Sequence, residues 1–207
     1  MEPWAPARAD EILAIGASTG GTFAVEAVLS ALPADGPGTV IVQHMPEHFT
    51  AAFAQRLHRV CPMAVREARD DEITPGVALV APGARHMVVG RSAGRYRVWL
   101  TDGPPVHHQR PSVDVLFQSI AACAGCNAVG VLLTGMGVDG ARGLLAMRRS
   151  GAYTLAQDEQ SCVVYGMPRD AFRLGAAVKV VPLAAMAQAI RQALARPAGP
   201  RGSMLGM

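Results

Sequence analysis

The chain has 207 residues, 50% of them hydrophobic and 17% charged, and a formal net charge of +3. That length suits one domain with a substantial core, and no apolar run reaches the roughly 20 residues that membrane insertion through a helix requires. A secretory leader pattern is absent, and the single lysine, Lys179, with scattered arginines makes no surface for nucleic acid. Four cysteines, Cys61, Cys123, Cys126 and Cys162, do not resemble a disulfide framework in a chain this long. Cys123-Ala-Gly-Cys126 has CxxC spacing, but no second pair follows, so it reads as small residues at a core edge and no metal is expected. The composition describes a reduced, cytoplasmic domain.

The first predicted element is a buried strand over 12–16, which delivers Ala17-Ser18-Thr19 into a glycine turn. A helix over 22–32 follows, with Phe23, Val25, Val28, Leu29 and Leu32 near one face. A second buried strand over 39–43 ends at His44-Met45-Pro46. The helix after it, over 47–59, is expected to bury Phe49, Phe53, Leu57 and Val60. Two strand–helix units in succession imply right-handed crossovers and a parallel sheet.

Four short strand candidates then occupy 64–68, 77–80, 86–89 and 96–100, separated by turns rather than helices. They read as an antiparallel excursion at one edge of the sheet, with a hairpin closed over 90–94. An irregular loop over 102–111 carries His107 and His108. Alternation resumes with a helix over 112–123 capped by Ser112, a central strand over 128–134 and a helix over 141–150. A strand over 152–156, a helix over 167–174, a strand over 177–181 and a helix over 183–195 complete the series. The fold class is α/β: a three-layer, doubly wound, mostly parallel, Rossmann-like sheet with an antiparallel β-hairpin at one edge. Residues 1–195 form a single domain in this reading, and 196–207 a disordered tail rich in Pro and Gly.

In such a sheet, reactive groups gather at the carboxyl ends of the parallel strands. The first strand ends in Ser18, the second in His44, and the strand over 128–134 leads to Asp139. Nucleophile, base and orienting acid are the set that acyl transfer needs, because a serine hydroxyl attacks only when a neutral imidazole takes its proton. Each residue also has a plainer reading: a serine in a glycine turn caps a helix, a histidine before proline is a structural hydrogen-bonder, and an aspartate in Gly-Val-Asp-Gly caps the next helix. Asp158 and Glu159 compete for the acid role, and Asp139 is preferred because it follows the central strand between glycines. Dinucleotide binding is the rival. It fails on Ser18, which stands where a glycine should approach the pyrophosphate, and on Gln43-His44, which stand where a ribose-binding acid is wanted. His48, His58 and His86 read as surface or packing residues.

Six blocks carry a closer match: IGASTGG (15–21), VQHMPEHFTAAFAQRL (42–57), APGARHM (81–87), RPSVDVLFQSIA (110–121), LLTGMGVDGA (132–141) and AQDEQSCVVYGMPRDA (156–171). Together they resemble the catalytic domain of the CheB-type chemotaxis protein-glutamate methylesterases, from about Ile12 to Ile190. The resemblance implies Ser18 as nucleophile, His44 as base and Asp139 as acid, with no metal or organic cofactor. It implies hydrolysis of glutamate methyl esters, and deamidation of glutamines by some members, on the cytoplasmic helices of methyl-accepting chemoreceptors. The backbone N–H groups of Met136 and of Thr19 or Gly20 are the expected oxyanion donors, with the Thr19 hydroxyl orienting Ser18 and Arg110 facing acidic receptor helices. Members of this family carry an N-terminal receiver domain. Few residues precede Ile12 here, so either this sequence is the catalytic part of a longer protein or the domain stands alone, and in the second case control by a separate receiver or regulatory protein, or constitutive activity, is expected. The sequence departs from the family at His107-His108-Gln109, where Gly-His usually precedes Arg-Pro. The same triad serving another ester, and a non-catalytic signalling adaptor, are the alternatives.

Overall fold

The apolar run at Ile12 becomes the central strand of a seven-stranded sheet, in a computed structural model that describes residues 8–196. The expected disordered tail, from 197 onward, lies outside the described residues. The first half comprises β1 (Ile12–Ala17), α1 (Gly21–Ser30), β2 (Gly38–Gln43), α2 (Glu47–Val60), β3 (Ala64–Glu67), β4 (Val77–Val80), β5 (His86–Ser92) and β6 (Arg95–Thr101). The second comprises α3 (Val113–Cys123), β7 (Ala128–Leu132), α4 (Ala141–Arg149), β8 (Tyr153–Gln157), α5 (Met167–Arg173), β9 (Lys179–Val181) and α6 (Leu183–Leu194), with a 3₁₀ turn at Gly125–Asn127.

The strand order is β3-β4-β2-β1-β7-β8-β9, and every pair is parallel. The chain winds outward from β1 through β2 to the edge strand β3, steps back to β4 between them, then crosses to β7 on the other side of β1. The order therefore reverses between β1 and β7, which is where a ligand crevice opens in sheets of this kind. Alternate residues of β1 feed two separate cores. Leu13 and Ile15 pack with Val25 and Leu29 of α1, Phe53 and Leu57 of α2, and Met186 and Ile190 of α6. Ile12 and Ala14 face the other way, toward Leu116 and Phe117 of α3, Leu144 and Met147 of α4, and Met87 and Val98 of the hairpin. These are the three layers expected from the sequence.

The β5–β6 hairpin closes at Ala93-Gly94, both at positive φ, and forms its own two-stranded antiparallel sheet. It packs on α3, where Val89 N–H donates to Ser119 Oγ at 2.9 Å. β3 and β4 differ from the expectation: they belong to the main sheet, in parallel register from Ala64 against Val77. Their 68–76 connection has no helix. Its backbone is satisfied by β6 instead, with Ile73 N–H on Tyr96 O at 2.9 Å and Val98 N–H on Asp71 O at 2.8 Å. A crossover covered by a hairpin has no helical periodicity to read, which is why it resembled a turn. Three residues expected on buried helix faces are exposed: Phe23, Phe49 and Val60.

Candidate active site

Gly16 lets β1 run close under α3, since a Cβ there would stand 2.2 Å from Val113 Cγ1. Ser18 follows in a turn that is held on three sides. Its N–H donates to Thr134 O at 3.0 Å, and its carbonyl accepts from Gly21 N–H at 2.8 Å and from Gln43 Nε2 at 2.9 Å. Gly20 at φ 81° then turns the chain into α1, a left-handed conformation that a side chain would strain. Beside the turn, Gly135 leaves room for the serine, because a Cβ there would meet Ser18 Cβ at 2.7 Å. The Thr134 hydroxyl donates to Thr19 O at 2.9 Å and accepts from Val164 N–H at 3.0 Å, stitching the turn to the loop after β8. The Thr19 hydroxyl itself makes no hydrogen bond among the described residues, and neither do the N–H groups of Thr19, Gly20 and Met136.

His44 leaves the end of β2 with its N–H on Ala17 O at 3.0 Å. Its ring is 6% exposed, and Nε2 lies 2.8 Å from Asp139 Oδ2. The other ring nitrogen, Nδ1, is buried and has no hydrogen-bond partner. With Asp139 ionised, Nε2 carries the proton and Nδ1 is left with its lone pair. The Ser18 hydroxyl is likewise without a partner among the described residues, so the site holds one unused donor and one unused acceptor. The structure thus joins His44 to Asp139 directly, while Ser18 is tied to His44 through the backbone and Gln43.

Asp139 caps α3, not the helix that follows it. Its Oδ1 accepts from Ser112 Oγ at 2.7 Å and Asp114 N–H at 3.0 Å, and its Oδ2 from Val113 N–H at 2.8 Å besides His44. Burial on its own would raise the carboxyl, but the hydrogen bonds from His44, Asp114, Ser112 and Val113 outweigh it and hold the group below its ordinary range. The positive end of the α3 dipole acts in the same direction. Asp158 accepts from Ser161 N–H at 3.1 Å and Glu159 is exposed, and among the described residues neither is paired with His44.

Several neighbours of this set were not singled out by the sequence. His86 is buried between elements: Nδ1 accepts from Ser112 N–H at 3.1 Å, so Nε2–H donates to Pro104 O at 2.9 Å. Asp114 accepts from Gly143 N–H at 2.6 Å and pairs with His107 Nε2 at 3.1 Å. His107, Asp114 and Asp139 bring potential metal-binding atoms within 4.8 Å of one another, but these oxygens already take N–H and O–H donors, so the cluster is a hydrogen-bond network. His108 is exposed, and Arg110 is exposed with Nη1 on Gly103 O at 3.1 Å. The Cys162 thiol is pushed up to about 11, chiefly by burial, so little of it is thiolate near neutral pH. Phe23, Phe49, Met136, Val138 and Val163 stand exposed on the connections that leave the carboxyl ends of β1, β2, β7 and β8. Among the described residues, no helix is long and apolar enough to cross a membrane.

The family model described as CheB methylesterase matches residues 13–190. A protein-glutamate methylesterase/protein-glutamine glutaminase of Syntrophus aciditrophicus is 57% identical over 182 residues, covering 87% of this chain and 53% of that protein. One from Anaeromyxobacter dehalogenans is 61% identical over 178 residues, covering 86% of this chain and 49% of that protein. The chain therefore spans about half the length of these curated relatives. The crystal structure of the Thermotoga maritima CheB methylesterase catalytic domain superimposes with a TM-score of 0.86 at 33% identity, covering 88% of this chain and 97% of that one.

Proposed function

Since the chain belongs to the CheB methylesterase family, we propose that Ser18, His44 and Asp139 form a nucleophile–base–acid triad that hydrolyses glutamate methyl esters on chemoreceptors. The observation that carries this reading is His44, with one ring nitrogen on a buried carboxylate at 2.8 Å and the other buried and unpaired. Ser18 Oγ attacks the ester carbonyl carbon as its proton passes to His44 Nδ1. The oxyanion is met by the unused N–H groups of Met136 and of Thr19 or Gly20, each such donor contributing roughly 2.7–4 kcal/mol to the transition state. His44 returns the proton to the departing methoxide, and methanol leaves. Water, deprotonated by the same nitrogen, then opens the acyl-serine, the proton goes back to Ser18, and the glutamate carboxylate is released. Asp139 keeps the Nε2–H tautomer and balances the imidazolium formed at each half-reaction. On a glutamine side chain the same steps expel ammonia, the glutaminase activity in the relatives' names. No step calls for a metal or cofactor.

The partner we propose is the cytoplasmic helical region of a methyl-accepting chemoreceptor, which places the enzyme in the cytoplasm. The exposed apolar rim suits the apolar face of such a helix. Control by a separate receiver or regulatory protein is part of the same proposal. The test is methanol release from a methylated receptor cytoplasmic fragment. We expect release by the wild type and none by Ser18→Ala. A folded wild type that releases nothing from the receptor, yet cleaves another ester through Ser18, would move the substrate outside chemoreceptors.

A further inference from the structure

One amide spans the two turns that carry Ser18 and His44. Gln43 Nε2 donates to Ser18 O at 2.9 Å and to His44 O at 2.9 Å. With two carbonyls facing it, this end of the side chain must be the NH₂. The other end, Oε1, is buried and has no partner. A buried acceptor without a donor costs stability, which offsets part of what the two donated hydrogen bonds contribute to the fold.

We propose that Gln43 is a positioning residue for the hydrolysis, aiming the Ser18–Thr19 peptide and holding the His44 turn in register with it. The proposal rests on the reading of Ser18 as the nucleophile. In a planar trans peptide the C=O and N–H point in opposite directions. The Ser18 carbonyl is drawn toward Gln43 and Gly21 N–H, so the Thr19 N–H is turned away from both, and it donates to no acceptor among the described residues. Gln43 thereby sets the direction of one oxyanion donor. Because both carbonyls share a single NH₂, a shift of the serine turn is transmitted to the histidine turn. Gly21 belongs to the same device: a Cβ there would stand 2.1 Å from Gln43 Oε1 and 2.6 Å from Ala17 Cβ, displacing the amide.

The test is the rate at which an alkyl fluorophosphonate modifies Ser18, read beside thermal melting. In that reaction the Ser18 Oγ–P bond forms, P–F breaks, fluoride leaves and the hydroxyl proton passes to His44. Gln43→Met keeps the length of the side chain and removes the orphaned oxygen. We expect only a modest fall in Tm, since the loss of two donated hydrogen bonds is partly offset by removal of the orphaned oxygen, while modification slows by roughly tenfold to a hundredfold. On methylated receptor, kcat falls by the same factor and KM holds. Modification at the wild-type rate overturns the proposal, whatever the Tm. If Gln43→Met does not fold, Gln43→Leu is read by the same rate, and failure of both to fold makes the amide a requirement of the fold and overturns the proposal. A wild type that is not modified at Ser18, as Ser18→Ala must not be, removes the nucleophile reading and this proposal with it.

Discussion

Asp139 takes donors from four groups on two elements: His44, Ser112 Oγ and the first two N–H groups of α3. Such a carboxylate is worth most when ionised, and its pKa is depressed below the unfolded value. Its contribution to stability is therefore present above the unfolded pKa, about 3.9, and is lost as pH falls through the lower folded value. Asp139→Asn offers an amide NH₂ to helix N–H groups that need an acceptor, and it no longer fixes the His44 tautomer. We expect kcat to fall on the order of 10⁴-fold, the scale of tautomer loss in Ser-His-Asp enzymes. We also expect urea unfolding to show a smaller stability loss between pH 5 and pH 2 than in the wild type. An unchanged acid limb would mean that the depressed carboxyl lies elsewhere. Ser112→Ala tests a neighbouring link, since it removes both the N-cap of α3 and one donor to Asp139. It should cost about 0.5–2 kcal/mol by chemical denaturation, with a modest loss of kcat.

The N-terminus of α3 is the element on which the acid end of the site is built, and it carries two carboxylates with opposite shifts. Burial raises Asp114, and the nearby Asp139 raises it further, against Gly143 N–H and His107, which lower it. A raised acid favours its protonated form, so this contribution is full below the unfolded pKa and is lost as pH rises through the folded one. Asp114→Asn can keep the oxygen that accepts from Gly143 while shedding the charge beside Asp139. The expected result is a stability near neutral pH at or above that of the wild type, measured by urea unfolding. A clear loss there would show that the His107 pair outweighs the cost of the buried charge. Much at this level was legible in the sequence. Strand ends bearing Ser18, His44 and Asp139, and Ser112 before an apolar helix, are local signals. What was not legible is contact between elements distant in the chain. Nothing near Asp139 says that it caps α3, nothing near Gln43 that its amide reaches Ser18, and nothing in 68–76 that β6 would pair with it. Helix periodicity misplaced Phe23 and Phe49 because both lie in first turns beside the crevice, where an apolar side chain need not face the core.

At the scale of the whole molecule, two cores on opposite faces of one parallel sheet leave the carboxyl edge as the place where loops from both layers meet. β1 and β7 flank the reversal of strand order, so Ser18 and the loop to Asp139 sit side by side although distant in sequence. The edge is apolar where a soluble surface is usually polar: Met136 is 72% exposed and Val163 68%, beside Phe23 and Phe49 at the starts of α1 and α2. Phe23 and Phe49 contribute little to either core, so replacing them leaves the fold intact. Their rings are available instead to bury against a partner, and a fully buried phenylalanine contributes roughly 1.5–3 kcal/mol. If the partner is a receptor helix, that energy appears as ground-state binding. Phe23→Ser and Phe49→Ser should then raise KM for the methylated receptor fragment by about tenfold each, with kcat retaining most of its value. Steady-state methanol release at varied receptor concentration checks this. A fall in kcat at unchanged KM would instead place these rings in the chemistry of the site, and no change in either would move the receptor contact to another part of the edge.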